Sequence, residues 1–222
     1  MERKELVEYL AREILKIKKT TPILVGINGI DASGKTFLAS ELAEELRQKN
    51  QKIIKASIDD FHNPKAIRYK KGENSPEGYY YNSFNYLALI DNLLSPLFLG
   101  KTECKTAVFD YRKDLELAEP LIQIENNSIL LMEGVFLFRS ELIKYWDLKI
   151  FLAIDFDSSI SRAINRESDK KYLGKEQAII ERYKNKYIQG QKIYFKEENP
   201  LQKADIVIDN NNYLAPEIIK YL

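Results

Sequence analysis

Residues 29–36 read Gly-Ile-Asp-Ala-Ser-Gly-Lys-Thr and match the pattern G-x-x-x-x-G-K-[ST] at every fixed position. Gly29 and Gly34 allow backbone angles that a side chain would oppose, so successive amide groups can point at one anion. The ammonium of Lys35 can reach β- and γ-phosphates, and the hydroxyl of Thr36 can hold Mg²⁺. The pattern predicts a phosphate-binding loop (P-loop) formed by Gly29, Ile30, Asp31, Ala32, Ser33, Gly34, Lys35 and Thr36.

The sequence on either side of this loop supports the prediction, because a P-loop follows a buried strand and opens a helix. The apolar run Ile23-Leu24-Val25-Gly26-Ile27 stands before it. After it, apolar residues recur with helical spacing over residues 35–49. We expect one buried helix face made of Phe37, Leu38, Leu42 and Leu46.

The same reasoning extends along the chain. Further helices are predicted at 2–18, 87–94, 139–145, 157–166, 175–196 and 215–222, and strands at 23–28, 52–57, 107–110, 121–125, 128–132, 148–154 and 204–208. Strands that alternate with helices are typical of a mainly parallel sheet covered on both faces. The pattern therefore predicts an α/β protein, a three-layer α/β/α fold of the P-loop NTPase type.

The length of 222 residues allows one domain with a substantial core. We predict a single domain over 1–222, with an N-terminal helix within 1–20 and an irregular substrate-side loop at 63–83. Long loops inside compact domains are usually functional or disordered. The tyrosines of this loop, Tyr79 among them, favour an ordered loop with a binding role.

Charge and composition narrow the class of protein. Lys plus Arg number 34 against 33 Asp plus Glu, which gives no electrostatic reason to expect a nucleic-acid partner. No stretch approaches the roughly 20 apolar residues that span a bilayer, and the N-terminus lacks the apolar core of a signal peptide. The one cysteine, Cys104, excludes an internal disulfide and fits the reducing cytoplasm. The possibility of a homo-oligomer stays open.

Two carboxylates fall at the ends of predicted strands. Asp59 follows the strand at 52–57, and Glu133 follows the strand at 128–132. Ligands of parallel sheets lie beyond the carboxyl ends of the strands, next to the P-loop. Asp59 is therefore placed to take a proton from a substrate hydroxyl or to touch Mg²⁺ through water, and Glu133 is placed to hold the metal. A capping or turn role for Asp59, and a simple exit to solvent for Glu133, remain alternatives.

Three further side chains are candidates for the site. Arg162 and Arg166 are four residues apart on a predicted helix, so we expect them to share a face and to stabilise charge on a transferring phosphate. The alternative is a solvated basic face. His62, the only histidine, is expected to contact the substrate, with structural hydrogen bonding as the alternative.

Six segments in this order resemble the uridine kinase/phosphoribulokinase family of P-loop small-molecule kinases, from about residue 22 to 212. They are Gly-Ile-Asp-Ala-Ser-Gly-Lys-Thr at 29–36, Ser-Ile-Asp-Asp-Phe-His at 57–62, Val-Phe-Asp-Tyr at 108–111, Leu-Met-Glu-Gly-Val at 131–135, Arg-Ala-Ile-Asn-Arg-Glu at 162–167 and Ala-Asp-Ile-Val-Ile-Asp-Asn at 204–210.

The resemblance implies ATP as phosphoryl donor, Mg²⁺ as cofactor and a hydroxyl group as acceptor. It implies that Asp59 is the general base, that Glu133 helps to hold the metal, and that residues 157–196 form a lid and the helix after it. It implies that Arg162 and Arg166 belong to this lid. It also implies that the acceptor pocket is lined by Phe109, Asp110 and Tyr111.

The first expectation for the acceptor is a nucleoside such as uridine or cytidine. The tyrosines at 79–81 and the neighbouring Arg112 and Lys113 keep a second kinase hypothesis open, with a sugar phosphate, a pantothenate-like acid or a vitamin precursor as acceptor. Arg112 is a candidate contact for such an acidic acceptor. A third hypothesis, a nucleotide-dependent switch, is weaker because Asn185-Lys186-Tyr187-Ile188 lacks the aspartate of a guanine-reading Asn-Lys-x-Asp motif.

Overall fold

The central strand of the sheet, β1 (Ile23–Gly29), runs directly into the P-loop. In the computed structural model, which describes residues 1–125 and 127–221, six strands form one sheet. Its order is β10-β9-β8-β1-β7-β2, where β2 is Lys52–Ser57, β7 is Ser128–Gly134, β8 is Leu148–Ala153, β9 is Ile206–Asp209 and β10 is Glu217–Lys220. Every pairing is parallel except that of β10 with β9.

Two pairs of very short strands lie outside this sheet. Glu103–Cys104 (β3) pairs with Ile122–Gln123 (β6), and Phe109–Asp110 (β4) pairs with Leu115–Glu116 (β5). β4 and β6 lie within the segments 107–110 and 121–125, where strands are predicted, while β3 and β5 lie outside them, and each of the four is only two residues long.

The helices are Arg3–Lys16 (α1), Lys35–Gln48 (α2), Lys65–Arg68 (α3), Pro76–Asn82 (α4), Tyr86–Leu89 (α5), Ser95–Phe98 (α6), Phe156–Asn165 (α7), Glu167–Leu173 (α8), Glu176–Arg182 (α9), Ile188–Glu198 (α10) and Pro200–Lys203 (α11). Two π-helical turns, Ile90–Leu94 and Tyr183–Tyr187, join α5 to α6 and α9 to α10. No helix in the described part of the chain is long and apolar enough to cross a membrane.

Helices cover both faces of the sheet. On one face, α1 and α2 bury Leu6, Leu10, Leu38 and Leu42 against β-strand residues such as Val25. On the other face, a larger cluster includes Leu93, Met132, Phe136, Phe151 and Tyr194. The predicted three-layer α/β fold with a mainly parallel sheet is confirmed.

Several local predictions are wrong. Phe37 is not on the buried face of α2: it is 67% exposed, and its ring packs edge-on against Tyr213. Residues 63–83 are not irregular, because they contain α3 and α4. The hydroxyl of Ser75 caps α4 by accepting a hydrogen bond from the amide of Gly78, and Pro76 stands at the first turn, where its missing N–H costs nothing.

The chain end and two helices also differ from expectation. In place of a helix at 215–222, β10 pairs with β9 and alternates a buried Ile218 with an exposed Ile219, the period of a strand. Residue 222 lies outside the described residues. The segment 139–145 forms turns and a 3-10 helix at Ile143–Tyr145 in place of the expected α-helix, and this helix ends because Trp146 is extended at φ −83°, ψ 123°. The predicted helix 175–196 is interrupted by the π-helical turn Tyr183–Tyr187.

Candidate active site

The loop between β1 and α2 has the backbone conformation that a phosphate cradle requires. Gly34 adopts φ +96° and Ala32 φ +58°, so the chain turns through left-handed conformations on its way into α2. A side chain at Gly29 would place its Cβ 2.6 Å from both the carbonyl oxygen of Leu152 and Oγ of Ser33. The two glycines of the motif are therefore needed for separate reasons, one for its φ and the other for space.

Lys35 opens α2, and its ammonium folds back over the loop. Its Nζ donates a hydrogen bond of 2.7 Å to the carbonyl oxygen of Ile30. Burial lowers the pKa of this lysine, and the carboxylates of Asp31 and Glu133 oppose that shift. A phosphate group at the loop would give the ammonium the anionic partner that its surroundings favour.

Asp59 and Glu133 come together at the edge where β2 and β7 end. Ser57, the last residue of β2, pairs with Glu133, and Asp59 lies in the 3-10 turn Ile58–Phe61 that follows. The walls of the cleft raise the pKa of the Asp59 carboxyl although the residue is open to solvent at the mouth, and the charge of Asp31 adds to the shift. Burial also raises the pKa of Glu133, while hydroxyl groups of Ser57 and Thr36 lower it.

Asp31 connects the P-loop to two other elements. Its carboxylate accepts hydrogen bonds from the hydroxyl of Tyr79 in α4, at 2.9 and 3.1 Å, and from Nε2 of Gln191 in α10, at 3.1 Å. Its carbonyl oxygen accepts a bond of 2.7 Å from Oγ of Ser159 in α7. Tyr79 was expected to contact the substrate, but its hydroxyl donates to the P-loop instead.

Arg162 and Arg166, expected to share a helix face, do not do so, because α7 ends at Asn165 and Arg166 is extended at φ −87°, ψ 120°. The guanidinium of Arg162 donates to main-chain oxygens of the P-loop, at Ala32 and Ser33, and of the loop after β9, at Asn210 and Asn211.

Arg166 forms an ion pair with Asp169 and contacts the hydroxyl of Tyr183 at 3.3 Å. Its charge nevertheless reaches the centre of the cleft, since it lowers the pKa values of both Lys35 and Asp59. The arginines therefore have different surroundings: Arg162 bridges two loops, and Arg166 borders the cleft.

His62 lies between two aromatic rings. The centroid of its ring is 4.7 Å from that of Tyr111, nearly parallel, and 4.5 Å from that of Phe84. Nδ1 lies 2.8 Å from the carbonyl oxygen of Asp59, so we assign the proton of the neutral ring to Nδ1 and leave Nε2 as an acceptor. Burial lowers the pKa of His62 to about 4, which keeps the ring neutral near pH 7.

The hairpin of β4 and β5 carries the remaining predicted contacts. Phe109 is buried. Asp110 accepts hydrogen bonds from the amides of Arg112 and Lys113, so its carboxylate caps the hairpin turn and does not point freely at an acceptor. Arg112 is exposed, with its guanidinium over the Tyr111 ring at 5.6 Å from the centroid.

Sequence reasoning missed several residues of the site. Gln191, Ser159 and Asn210 bind the P-loop through side chains, with Nδ2 of Asn210 donating to the carbonyl oxygen of Ser33 at 2.8 Å. Each is an ordinary polar residue on a helix or loop, and only tertiary structure brings it to Asp31 or Ser33. Asp31 itself gave one signal: it is a charged residue in a loop of otherwise small or apolar residues before Lys35.

A parallel sheet with a phosphate loop after its central strand, and two carboxylates at the neighbouring strand ends, defines the class of P-loop kinases. The sequence model of the phosphoribulokinase/uridine kinase family matches residues 24–212. The chain belongs to this family.

Individual relatives agree with this assignment. A uridine kinase from Bacillus mycoides is 25% identical over 205 residues, which are 89% of this chain and 91% of that protein. The solved structure of "a Possible Uridine Kinase from Bacillus stearothermophilus" has a TM-score of 0.74 and 25% identity, and the match covers 93% of this chain and 99% of that one. Uridine-cytidine kinase B from Dictyostelium discoideum is 29% identical over 148 residues, 66% of this chain.

The match spans only part of some relatives. It covers 58% of the Dictyostelium protein and 29% of a uridine kinase from Saccharomyces cerevisiae.

Proposed function

We propose that the protein is an ATP-dependent kinase that transfers the γ-phosphoryl group to a hydroxyl of a nucleoside such as uridine or cytidine. One observation carries this proposal: the P-loop, Asp59 and Glu133 meet at one edge of the sheet. Membership of the phosphoribulokinase/uridine kinase family supports the reaction, and the similarity to uridine kinases over nearly the whole chain supports the acceptor.

In the proposed reaction, amides of residues 29–36 and the ammonium of Lys35 hold the β- and γ-phosphates of ATP. The carboxylate of Asp59 takes the proton of the acceptor hydroxyl, whose oxygen forms a new bond to the γ-phosphorus. The bond from the γ-phosphorus to the β–γ bridging oxygen breaks, and ADP leaves with that electron pair. We assign Arg166 to stabilise charge on the transferring group, and its effect on the pKa values of Lys35 and Asp59 supports this role.

We assign Thr36 and Glu133, with Asp59 through water, as the residues that hold Mg²⁺. The residues fit the ion, because Thr36 ends the P-loop, Glu133 lies near the end of the neighbouring strand β7, and the Thr36 hydroxyl lowers the pKa of the Glu133 carboxyl. Mg²⁺ keeps several waters and is usually bound by one or two protein groups plus substrate phosphates, so a large ligand cluster is not needed. When bound, the ion neutralises charge on the phosphates.

The acceptor is proposed to bind beside Asp59, against His62, Tyr111 and Phe109. Aromatic side chains are surfaces on which a flat nucleobase can stack, and the acceptor nitrogen of His62 can receive one hydrogen bond from it. We further propose that the chain acts as a single domain on small molecules in the cytoplasm, in keeping with its lone, buried Cys104.

A substrate panel tests this function. Purified protein with Mg-ATP is offered uridine, cytidine, purine nucleosides and free sugars, and ADP release is measured. We expect turnover with a pyrimidine nucleoside, and none with Lys35→Ala, the control that assigns the activity to this P-loop. Absence of turnover with every nucleoside, from protein that binds Mg-ATP, would reject the nucleoside acceptor.

A further inference from the structure

Lys186 is a buried lysine for which the site described so far has no role. It lies in the π-helical turn Tyr183–Tyr187 between α9 and α10 and is only 7% exposed. Among the described residues, its ammonium has no hydrogen bond and no carboxylate within ion-pair distance. It lies instead over two aromatic rings, 5.2 Å from the centroid of Tyr69 and 5.6 Å from that of Tyr187. A buried ammonium that has only ring faces as neighbours retains most of its capacity to bind an anion.

A second buried cation lies against the same tyrosine. Arg68, at the end of α3, is 6% exposed, and its guanidinium carbon is 5.3 Å from the centroid of Tyr69. One terminal nitrogen donates to the carbonyl oxygen of Tyr111 at 3.1 Å and to Asp114 at 3.0 Å. Its Nε is buried and has no hydrogen-bond partner among residues 1–125 and 127–221. A buried donor without a partner costs stability, which a ligand oxygen would recover.

The carboxylates around Lys186 are occupied by other donors. Glu73 forms an ion pair of 3.1 Å with Arg182, and Asp31 accepts from Tyr79 and Gln191. Burial, together with the charges of Arg182 and Arg68, lowers the pKa of Lys186 to about 8, against the opposing effect of Glu73 and Asp31. Of the two cations at Tyr69, Arg68 has Asp114 as its counterion, whereas Lys186 has no carboxylate within ion-pair distance among the described residues.

A short chain of contacts leads from these cations to the proposed base. Arg68 bonds the main chain of Tyr111, and the ring of Tyr111 stacks on His62. His62 in turn bonds the carbonyl oxygen of Asp59. The charges of Arg68 and Lys186 both reach His62 and lower its pKa. The two cations are thus linked to His62 and Tyr111, against which the acceptor is proposed to bind.

We propose that Lys186 and Nε of Arg68 form a subsite for an anionic substituent of the acceptor, a carboxylate or a phosphate. This proposal rests on the proposed nucleoside kinase function and narrows its substrate class to nucleosides that carry a negative charge in addition to the reacting hydroxyl. Charge-assisted hydrogen bonds to an ammonium and a guanidinium nitrogen are the strong polar contacts in proteins. A neutral nucleoside would leave both donors unpaired, so the subsite discriminates against it.

Matched acceptors with a free 5′-hydroxyl test the subsite by kinetics. These are uridine, its 6-carboxylate and its 3′-monophosphate, each with Mg-ATP. We expect kcat/KM for at least one anionic acceptor to exceed that for uridine by about 10-fold or more. Lys186→Gln should raise the KM for that acceptor about 10-fold and change the KM for uridine less than about twofold. Lys184→Gln, an exposed lysine two residues away, serves as control and should change neither.

A second readout does not depend on turnover. At pH 8, where the amine is partly neutral, a small amine-reactive reagent should label Lys186 slowly because the side chain is only 7% exposed, and mass spectrometry should show still slower labelling when an anionic nucleoside is bound but not with uridine. Uridine turned over as well as its anionic counterparts, with no protection of Lys186, would overturn the subsite and leave the kinase function intact. Protection by a non-hydrolysable Mg-ATP analogue alone would overturn it too, since Lys186 would then bind the nucleotide phosphates.

The remaining outcome separates the two proposals. Ribose 5-phosphate or glycerate could protect Lys186 and be phosphorylated while every nucleoside is inert. That result would reject the nucleoside as acceptor and support the anion subsite.

Discussion

The hydroxyl of Tyr79 lies 2.9 Å from one carboxylate oxygen of Asp31 and 3.1 Å from the other, so a residue of α4 holds a residue of the P-loop directly. The ring of Tyr79 packs closely against α10 because position 190 in that helix is glycine. A Cβ there would lie 2.6 Å from Cδ1 of Tyr79. Helix α4 and the phosphate loop are thus connected directly through one buried tyrosine.

Tyr79→Phe should reveal how much the hydrogen bond between Tyr79 and Asp31 contributes to stability. The variant keeps the ring but leaves Asp31 with only Gln191 as a side-chain donor, and a hydrogen bond to a charged group contributes about 1.5–3 kcal/mol. We expect a loss of about 1–2 kcal/mol in the free energy of unfolding, measured by urea denaturation. The control is Tyr81→Phe, whose exposed hydroxyl meets Glu197 and should cost less than about 0.5 kcal/mol. Equal losses in both variants would contradict a special role for the Tyr79–Asp31 pair.

The sequence predicted the parts of the site that a local pattern encodes. The P-loop, β1 and β2 follow from glycine spacing and apolar runs, and Asp59 and Glu133 follow from their positions at strand ends. A parallel sheet forces such ends to one edge, so topology alone brings them together.

The parts that failed depend on tertiary contacts. β10 forms because β9 has an edge that is available for pairing. The sequence of residues 215–221 does not reveal that edge, because strand formation depends on the neighbouring strand. Arg162 and Arg166 diverge because the helix ends between them, and a four-residue spacing predicts a shared face only where the helix continues. The partners of Asp31 come from α4, α7 and α10, up to 160 residues away along the chain.

The stacking of His62 in the proposed acceptor site can be tested directly by NMR. Because His62 is the only histidine in the chain, its ring signals need no further assignment. Its pKa, lowered to about 4 by burial, should appear as a midpoint near pH 4 when the ring proton signals are followed by NMR. A lowered folded-state pKa contributes stability above the ordinary value of 6.5, and that contribution is lost as pH falls from 6.5 towards 4. A midpoint near 6.5 would mean that the ring is solvated and does not stack between Tyr111 and Phe84.

Arg162 should act on nucleotide binding through the loops that it joins. Arg162→Ala removes contacts to main-chain oxygens of Ala32, Ser33, Asn210 and Asn211. We expect the affinity for a fluorescent ATP analogue to fall about 10-fold, equal to about 1.4 kcal/mol. Arg162→Lys should not restore this affinity, since a lysine ammonium cannot reproduce the several directed hydrogen bonds of a planar guanidinium group. Arg47→Ala, an exposed arginine of α2, is the control. Unchanged affinity with a reduced kcat would instead place Arg162 at the transferring phosphate.

Asp59→Asn should separate binding from chemistry. The amide keeps the shape of the side chain but cannot take the proton of the acceptor hydroxyl, so we expect kcat to fall by roughly 10²-fold or more while Mg-ATP affinity stays within about threefold. Asp91→Asn, an exposed aspartate far along the chain, controls for the substitution itself.

In the parent protein kcat/KM should fall with decreasing pH at a midpoint above 3.8, because the surroundings raise the pKa of Asp59. Full activity of Asp59→Asn would transfer the role of base to another group, and Asp60, whose pKa burial raises to about 6, would be the next to replace.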